Sequence, residues 1–489
     1  MSIFYIILGL LLFSLAAISF PKYNKIFVTV SLLSVFSFYF FLSANFFHPE
    51  SFYPSKNIKY ELICCNYYNL LYKSLKEHRL YLSDTLTEDK EHFKFNDDGK
   101  ELEIHWADTS PYKDKIYLYF GITPVLLLYA PFHMATNLYL TDKFLVFVLA
   151  CISVLFSIFL IHILSLSFLK KRKVLSINPF IVFLIGFCST APYLLVRSSI
   201  YEAAIITANV LVLISFIIFY FYLNGKTTII KNTLLLLLGT ILSLSVGARP
   251  QCVLFIPAFF TAICIANYYY TKDIKYVVKQ AVIFLIPCII IGTGLALYNY
   301  LRFDSIFEFG FNYQTNGNGQ KNIKFKDLLI GLKYNLFQPP QFDWKKIFHL
   351  NGTMGHTFLN ESIVGIFWTF PMILIFLLLP KFLKNIYKEN KNTFIFILLL
   401  VYVIVINLIL VSLIGMSTRF LFEFVPLMII LSMVIWNYYM ETSEGYKLKF
   451  FRYTAYSLFF YSILINTSLF LSYQIYDLDL YLKIIDFLF

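Results

Sequence analysis

Residues 233–270 read TLLLLLGTILSLSVGARPQCVLFIPAFFTAICIANYYY, two apolar runs that meet at the tetrapeptide GARP, residues 247–250. Each run approaches the roughly 20 residues that a helix needs to cross a bilayer core of about 30 Å. An uncompensated arginine at the centre of a membrane helix costs about 2.5–3.5 kcal/mol on insertion scales. Arg249 therefore either marks a turn at the water interface or is kept there to bind an anionic group.

The rest of the chain repeats this alternation of apolar runs and short polar segments. Of the 489 residues, 59% are hydrophobic and only 14% are charged, which excludes an ordinary soluble protein. The net charge of +12 comes mostly from lysines in short loops, so it does not indicate a nucleic-acid partner. The sequence predicts an all-α polytopic membrane protein with about 12 transmembrane helices. The predicted spans lie near residues 3–20, 26–47, 144–169, 177–196, 203–223, 232–248, 251–270, 280–299, 362–380, 393–414, 420–437 and 453–472.

The distribution of positive charge predicts the orientation in the membrane. Alternate short loops on one side hold 18 Lys and Arg residues, and those on the other side hold 3. Positive loops stay in the cytoplasm as a rule. The three outlying arginines, Arg197, Arg249 and Arg419, are therefore predicted to face outward. Two large extracytoplasmic loops, 48–143 and 300–361, fall on the same side, as do both termini.

One apolar stretch does not fit this alternation. Residues 117–139, YLYFGITPVLLLYAPFHMATNLY, are apolar enough to cross, but crossing would place the KKRK sequence outside. Gly121, Pro124 and Pro131 also interrupt a helix there. We interpret the stretch as a re-entrant or interfacial segment of the first loop. Residues 1–489 then form a single membrane-embedded domain.

The outward arginines are the first candidates for chemistry. A guanidinium group makes two parallel, charge-assisted hydrogen bonds to a phosphate, so Arg197, Arg249 and Arg419 suit a lipid phosphate at the interface. In the simpler interpretation each arginine extends to lipid headgroups or pairs with a nearby acid. Glu202 follows Arg197 by five positions, and Glu423 follows Arg419 by four, on the same helix face.

A candidate general base lies in the first loop. Asp108 stands in HWADTSPYKDKIYLYFG, residues 105–121, just before the apolar stretch. A partly desolvated carboxylate at the membrane surface is suited to take a proton from a hydroxyl group. The sequence Asp-Thr-Ser-Pro is also ordinary turn chemistry. No CxxC or HExxH motif occurs, so we assign no metal ligand and no cofactor, and a dependence on divalent metal stays open.

Charged residues also open the second long loop. Residues 298–314, YNYLRFDSIFEFGFNYQ, place Arg302, Asp304 and Glu308 among aromatic side chains. Aromatic residues at the end of a span are typical of an interfacial belt. The charged residues between them are therefore either belt neighbours or parts of a site.

Five segments occur in an order that resembles a known class of enzymes. They are YKDKIYLYFGITPVLLLYAPF, VRSSIYEAAI, GARP, YNYLRFDSIFEFG and STRFLFEFVPL. The order resembles polytopic glycosyltransferases of the GT-C superfamily that use polyprenyl-phosphate sugars. These include bacterial aminoarabinose transferases of lipid A, rhizobial lipopolysaccharide glycosyltransferases and protein O-mannosyltransferases. The resemblance covers most of the chain in topology.

This resemblance implies an activity and a place for it. The activity is inverting transfer of a sugar from a polyprenyl-phosphate donor to an envelope glycan, lipid or protein acceptor, at the outer face of the bacterial cytoplasmic (inner) membrane. Asp108 matches the aspartate ahead of the Tyr-rich motif and would act as the general base. Arg197, Arg249 and Arg419 would bind the donor phosphate. The remaining candidate site residues are Lys115, Tyr119, Tyr201, Glu202, Arg302, Glu308 and Glu423.

Two positions depart from the pattern of these enzymes. Many of them place an acid just before a Tyr pair, whereas here Cys65 and Asn66 precede Tyr67. They also have a glycine before the lysine of the Tyr-rich motif, where this chain has Asp114 before Lys115. The first departure either shifts the catalytic role to Asp108 or argues against catalysis.

Two other functions also agree with outward arginines or apolar helices. A transporter or flippase of lipid-linked sugars needs such arginines, but it more often shows inverted repeats and polar residues at mid-membrane. The sequence shows no repeat, and its charged candidates cluster at one face. A non-enzymatic scaffold would leave the arginines unexplained. The pattern favours chemistry at the membrane surface.

Overall fold

The computed structural model is mostly helical. It describes residues 24–44, 53–55, 67–84, 93–94, 101–102, 109–168, 177–314, 325–343, 349–351, 353–354, 362–414 and 417–474. The α-helices in chain order are α1 Asn24–Ala44, α2 Tyr67–Lys76, α3 Ala130–Thr136, α4 Asp142–Leu166, α5 Pro179–Cys188, α6 Ala191–Arg197, α7 Ile200–Leu223, α8 Thr228–Val246, α9 Phe255–Thr271, α10 Ile274–Phe303, α11 Phe325–Phe337, α12 Ile366–Thr369, α13 Leu379–Glu389, α14 Lys391–Ile414, α15 Thr418–Leu421, α16 Val425–Thr442 and α17 Gly445–Gln474. A π-helix, Val125–Tyr129, precedes α3, and 3₁₀ helices span Pro250–Leu254, Phe311–Tyr313 and Pro371–Leu378.

Short strands in the long loops modify the all-α prediction. The strands are β1 Ser83–Asp84, β2 Phe93–Lys94, β3 Glu101–Leu102, β4 Ser110–Tyr112, β5 Lys115–Tyr117, β6 Gln341–Asp343, β7 His349–Asn351, β8 Thr353–Met354 and β9 Ser362–Ile363. They pair antiparallel as β1-β5-β4, β2-β3, β6-β7 and β8-β9. In the central sheet Tyr112 pairs with Lys115, and Lys115 pairs with Asp84.

The chain is a multi-pass membrane protein by the length and hydropathy of its helices. Within the described ranges, 8 helices are long and apolar enough to cross a bilayer. They coincide with the predicted spans 26–47, 144–169, 203–223, 232–248, 251–270, 280–299, 393–414 and 420–437. Helix α17 covers the predicted span 453–472 but falls outside those 8, and the predicted span 3–20 lies outside the described residues.

Two predicted spans are not continuous helices. In the span predicted at 177–196, α5 ends at Cys188, and the left-handed backbone of Thr190 (φ 60°) separates it from α6. In the span predicted at 362–380, a short α-helix gives way at Pro371 to a 3₁₀ helix. Proline has no N–H to continue the preceding helix. Apolar composition alone does not reveal either interruption.

Two helix ends also differ from the sequence prediction. Helix α10 runs on to Phe303, so Arg302 is a helical residue and the second loop begins at Asp304. Helix α15 ends at Leu421, and Pro426 opens the next helix. The prediction that Arg419 and Glu423 share one helix face is therefore wrong, because proline favours the first turn of a new helix.

The apolar stretch after β5 is helical over a short length. Its helical part, Val125–Thr136, spans about 18 Å at 1.5 Å per residue, well short of a bilayer core. Its interfacial or re-entrant position stays a prediction. Asn137, with a left-handed backbone (φ 56°), ends the helix.

Contacts group the predicted single domain into two compact units. The first unit comprises residues 1–42, 150–196 and 323–489, and the second comprises 43–149 and 197–322. In the first unit α11 lies so close to α14 that a Cβ on Gly331 would be 2.0 Å from the Ser412 carbonyl oxygen. Asn335 donates to the Ser412 hydroxyl at 3.0 Å beside it.

The second unit is built from α7, α8, α9 and α10, together with most of the first loop. Helices α8 and α10 approach closely at Gly239, where a Cβ would lie 2.4 Å from the carbonyl oxygen of Phe284. The Gln280 amide donates to Asn232 at 2.8 Å between the same helices. Small residues and interhelical hydrogen bonds drive helix association in membranes, where burial from water contributes little.

We predict that Gly239→Ala destabilises the protein by about 1–3 kcal/mol, the usual cost of overpacking. The added methyl group meets the backbone of α10, which cannot move aside as a side chain can. The matched control is Gly292→Ala on α10, where nothing lies within 4 Å of the new Cβ. Thermal unfolding in detergent should show a lower midpoint for the first variant only. Equal midpoints would contradict the close packing.

Candidate functional site

Two motifs that are distant in the sequence are joined in the second unit. The Thr123 amide of the GITP sequence donates to the Gly247 carbonyl of the GARP tetrapeptide at 3.0 Å. A Cβ on Gly121 would lie 1.9 Å from that carbonyl oxygen, and a Cβ on Gly247 would lie 2.3 Å from the Thr123 hydroxyl oxygen. Only glycine permits backbones to approach this closely. The Tyr-rich motif is therefore docked on the hinge that carries Arg249.

The GARP hinge breaks the chain between two candidate spans, as the sequence predicts. Helix α8 ends at Val246, and the Arg249 amide donates to the Ser245 carbonyl at 2.9 Å. Arg249 itself is extended (φ −139°, ψ 108°), and Pro250 opens the following 3₁₀ helix. Its side chain is half-buried. Arg249 is thus not within a continuous membrane helix.

Polar side chains from the first loop form a cluster within electrostatic range of this hinge. The ring of Tyr68 on α2 lies 5.2 Å from that of Tyr129, and the Tyr129 hydroxyl donates to the Asp142 carboxylate. The Tyr68 phenol is also within electrostatic range of Asp142, Arg249 and Tyr298. Burial raises the pKa of Tyr68 well above its ordinary value, the Asp142 charge raises it further and Arg249 opposes the rise. Tyr68 stays neutral, and its buried hydroxyl has no hydrogen-bond partner among the described residues.

Sequence reasoning missed the carboxylate in this cluster. Asp142 is fully buried and is the first residue of α4. In the sequence Asp142 is an acid at the start of an apolar helix, a position where acids are common because negative charge is favoured there. Tyr68 and Tyr129 are two of 37 tyrosines, so their residue type carried no signal.

The hairpin before the apolar stretch explains one departure from the pattern of the enzymes that the sequence resembles. Strands β4 and β5 are joined by Lys113 (φ 45°) and Asp114 (φ 59°), a two-residue turn with both residues left-handed. Such turns favour Gly, Asn or Asp. Asp114 therefore fits this turn, at the position where the resembling enzymes have glycine. The Lys115 ammonium group lies 4.4 Å from the centroid of the Tyr81 ring.

The loop after α10 is tied to this hairpin. Asp304, left-handed at the end of α10, accepts hydrogen bonds from the Tyr112 hydroxyl at 2.8 Å and from the Lys113 ammonium group. Those two bonds hold the pKa of Asp304 below its ordinary value, and the carboxylate raises the pKa of Lys113. The Ser110 hydroxyl donates to the Gly310 carbonyl at 2.6 Å nearby.

Glu308 builds this loop from within. Its carboxylate accepts from the backbone amides of Gly310 at 2.6 Å and Asn312 at 3.3 Å, and from the Asn312 side chain. Glu308 therefore has a structural role in the loop that the sequence did not predict.

Arg302 likewise has its guanidinium group engaged in packing. It is 2% exposed and donates to the Leu118 carbonyl at 2.6 Å and to the Asn299 side chain at 2.8 Å. Its guanidinium carbon lies 3.9 Å from the centroid of the Tyr298 ring. The placement of Arg302 in the second loop was wrong, because this residue joins α10 to the end of β5.

The Tyr-Glu pair divides into two roles. Glu202 is fully buried and completes a capping box at the start of α7, accepting from the Ser199 amide at 3.1 Å and from its hydroxyl. The Tyr201 ring contacts Phe120 at 4.6 Å and Tyr119 at 6.2 Å between centroids. Tyr201 thus joins α7 to the Tyr-rich motif.

The remaining candidates lie elsewhere in the chain. Arg197 is the last residue of α6 and the first residue of a second-unit segment. Arg419 is 3% exposed in the first unit, 5.3 Å from the ring of Phe420, and Glu423 of that unit is half-buried. Asp108 lies outside the described residues. Among the residues that are described, no group of three or more His, Cys, Asp or Glu side chains could hold a metal ion.

No protein-family model and no curated protein matches this chain. Two solved structures do. The apo oligosaccharyltransferase of Archaeoglobus fulgidus matches with a TM-score of 0.50 and 13% identity, over 92% of this chain and 56% of that one. The same archaeon's oligosaccharyltransferase AglB, in complex with an inhibitory peptide and a dolichol-phosphate, matches with a TM-score of 0.46 and 12% identity, over 91% and 56%.

The first of these matches shows the fold. This chain spans just over half the length of the archaeal protein. At 13% identity the likeness is one of fold. Both neighbours are archaeal, whereas the sequence resemblance was to bacterial transferases.

We predict that Asp304→Asn loosens the hairpin at neutral pH, because Asn loses the charge that holds Lys113. Hydrogen exchange measured by mass spectrometry over residues 110–117 should quicken by about two- to five-fold, as for an exposed ion pair. Asp114→Asn removes the same charge from the same hairpin without touching this contact, and should leave exchange unchanged. Equal exchange in both variants would exclude the Asp304 contact.

The pH dependence has a definite sign. The lowered pKa of Asp304 means that its stabilising effect is complete above the ordinary value of 3.8 and is lost as pH falls through the lowered one. The raised pKa of Lys113 means that its share is lost as pH rises through a value above 10.5. The protection factor of the hairpin amides, which is the intrinsic exchange rate at each pH divided by the observed rate, should therefore be largest between those limits.

Proposed function

We propose that this chain is an inverting membrane glycosyltransferase. It transfers a sugar from a polyprenyl-phosphate donor to an envelope glycan, lipid or protein acceptor at the extracytoplasmic face of the bacterial cytoplasmic membrane. The observation that carries the proposal is the docking of the Tyr-rich motif on the GARP hinge through Thr123 and Gly247. Two segments of the enzyme-like pattern thereby meet beside a half-buried arginine, in a chain with an oligosaccharyltransferase fold.

Arg249 is proposed to bind the donor phosphate. A guanidinium group at a break between two apolar helices is close to the depth of a lipid phosphate, and it offers two parallel donors to phosphate oxygens. As the sugar leaves, negative charge grows on the phosphate, and a fixed cation there stabilises the transition state. Arg197 and Arg419 are proposed as further phosphate-binding residues.

Asp108 is proposed as the general base. The acceptor oxygen forms a bond to the anomeric carbon from the face opposite the phosphate, and the bond from that carbon to the phosphate oxygen breaks. The electron pair of the broken bond leaves with the phosphate, and the acceptor proton passes to the Asp108 carboxylate. Attack from the opposite face inverts the anomeric centre.

We predict that Asp108→Asn lowers sugar transfer by about 100-fold or more, the usual contribution of a general base. The measurement is mass spectrometry of membrane glycolipids and glycans from a deletion strain, complemented with wild type or variant at matched membrane levels. Asp98→Asn changes a neighbouring first-loop acid and should restore the wild-type products. Wild-type transfer by Asp108→Asn would remove Asp108 as the base.

We predict that Arg249→Ala weakens binding of the donor about 10-fold or more, the loss expected for charge-assisted hydrogen bonds. Arg249→Lys should recover only part of the affinity, because an ammonium group cannot bind a phosphate through two parallel donors. Titration of the purified protein with polyprenyl phosphate measures both. If alanine leaves the affinity unchanged, Arg249 instead extends to bulk lipid headgroups.

If the deletion strain accumulates intact lipid-linked sugar on the cytoplasmic side, the chain is a transporter.

A further inference from the structure

A buried polar cluster lies within electrostatic range of Arg249 and has no role in the proposed transfer chemistry. Its members come from four separate elements: Tyr68 from α2, Tyr129 from the π-helix, Asp142 from the start of α4 and Tyr298 from α10. Asp142, Tyr68 and Tyr129 are fully buried, and Tyr298 is 8% exposed. Such convergence is unusual for polar groups, which are costly to bury.

The carboxylate is the costly member. A fully buried carboxylate pays several kcal/mol of desolvation unless hydrogen bonds and an opposite charge compensate it. Asp142 accepts the Tyr129 hydroxyl and stands at a helix N-terminus, which favours negative charge. The cation that acts on the neighbouring Tyr68 phenol is Arg249. Acid and guanidinium group therefore belong to one electrostatic cluster.

Tyr129, whose hydroxyl contacts Asp142, is the last residue of an unusual backbone segment. Val125–Tyr129 forms a π-helix between Pro124 and Ala130. Single π-helical turns are rare and are found frequently at functional sites. The same segment is held to the GARP hinge by the Thr123–Gly247 hydrogen bond. One backbone contact thus sets both Tyr129 and the hinge that carries Arg249.

We propose that Asp142, held in place by the Tyr129 hydroxyl, is a positioning residue whose charge orients the Arg249 guanidinium group to bind a polyprenyl phosphate. This inference rests on the proposed function. A free arginine side chain has about 2 kcal/mol of rotamer entropy to lose on binding, and a fixed carboxylate removes much of that loss beforehand. Asp142 itself is buried and does not touch the ligand.

The test is a double-mutant cycle on the full-length protein in lipid nanodiscs, with polyprenyl phosphate as the probe. Asp142→Asn should weaken binding about 10-fold, and Arg249→Ala at least as much. If Asp142 acts through Arg249, the double variant binds no more weakly than Arg249→Ala alone, because coupled residues are not additive. Asp142→Glu keeps the charge and should recover part of the affinity.

The matched control is Asp273→Asn. Asp273 is also an acid at a helix start of the second unit, where its side chain caps α10 through the Lys275 amide at 2.9 Å. This substitution should leave phosphate binding at the wild-type level. Tyr129→Phe removes only the hydroxyl group that contacts Asp142, and should weaken binding in the same non-additive way. If thermal unfolding shows that Asp142→Asn is not folded, the double-mutant cycle is run with Tyr129→Phe instead.

The outcomes separate this inference from the proposed function. If folded wild type does not bind polyprenyl phosphate, the proposed donor is wrong. If wild type binds it but the effects of Asp142→Asn and Arg249→Ala simply add, the positioning role is overturned and the donor stands. Unchanged binding by Asp142→Asn, or an equal loss in Asp273→Asn, overturns the positioning role as well.

Discussion

The candidate site of the second unit is organised around one backbone hydrogen bond, from the Thr123 amide to the Gly247 carbonyl. It joins the start of the apolar first-loop stretch to the break between α8 and α9. Gly121 and Gly247 permit it, because a Cβ on Gly121 would overlap the Gly247 carbonyl and a Cβ on Gly247 would overlap the Thr123 hydroxyl. The hairpin before Gly121 and the π-helix after Thr123 are both oriented from this point. Tyr129 and Arg249 are the side chains whose placement depends on it most directly.

Arg249 and Arg302, both in the second unit, show how one residue type has different roles. Arg302 has its guanidinium group against the Leu118 carbonyl, the Asn299 amide oxygen and the Tyr298 ring, at 2% exposure. Arg249 is half-buried at a hinge, and the Tyr68 phenol lies within electrostatic range of both Arg249 and Asp142. Because a binding arginine needs access as well as support, the second environment suits a phosphate and the first suits packing. Their charge and their neighbours in the sequence did not distinguish them.

Apolar periodicity and proline positions predicted much of the helical fold, because span length and the missing proline N–H are local properties. The breaks at Thr190 and Pro371 were missed, because both lie within runs whose composition alone matches a membrane helix. The GARP hinge was found from the sequence, since a charged residue beside proline is out of place in an apolar run. The carboxylate near it was not found. Asp142 is far from the hinge in sequence, and only the folded first loop brings the two into one electrostatic environment.

This placement bears on the departure at Asn66. Many of the glycosyltransferases that the sequence resembles have an acid before the Tyr pair, whereas this chain has Asn66. In the structure Tyr68, the second member of that pair, lies within electrostatic range of the buried Asp142 carboxylate. A negative charge is therefore present beside the pair, supplied from the start of α4 rather than from the preceding residue. Its burial fits it to orient neighbouring groups and not to meet an acceptor hydroxyl. The proposal that the first-loop Asp108 accepts the proton therefore does not need an acid immediately before the Tyr pair.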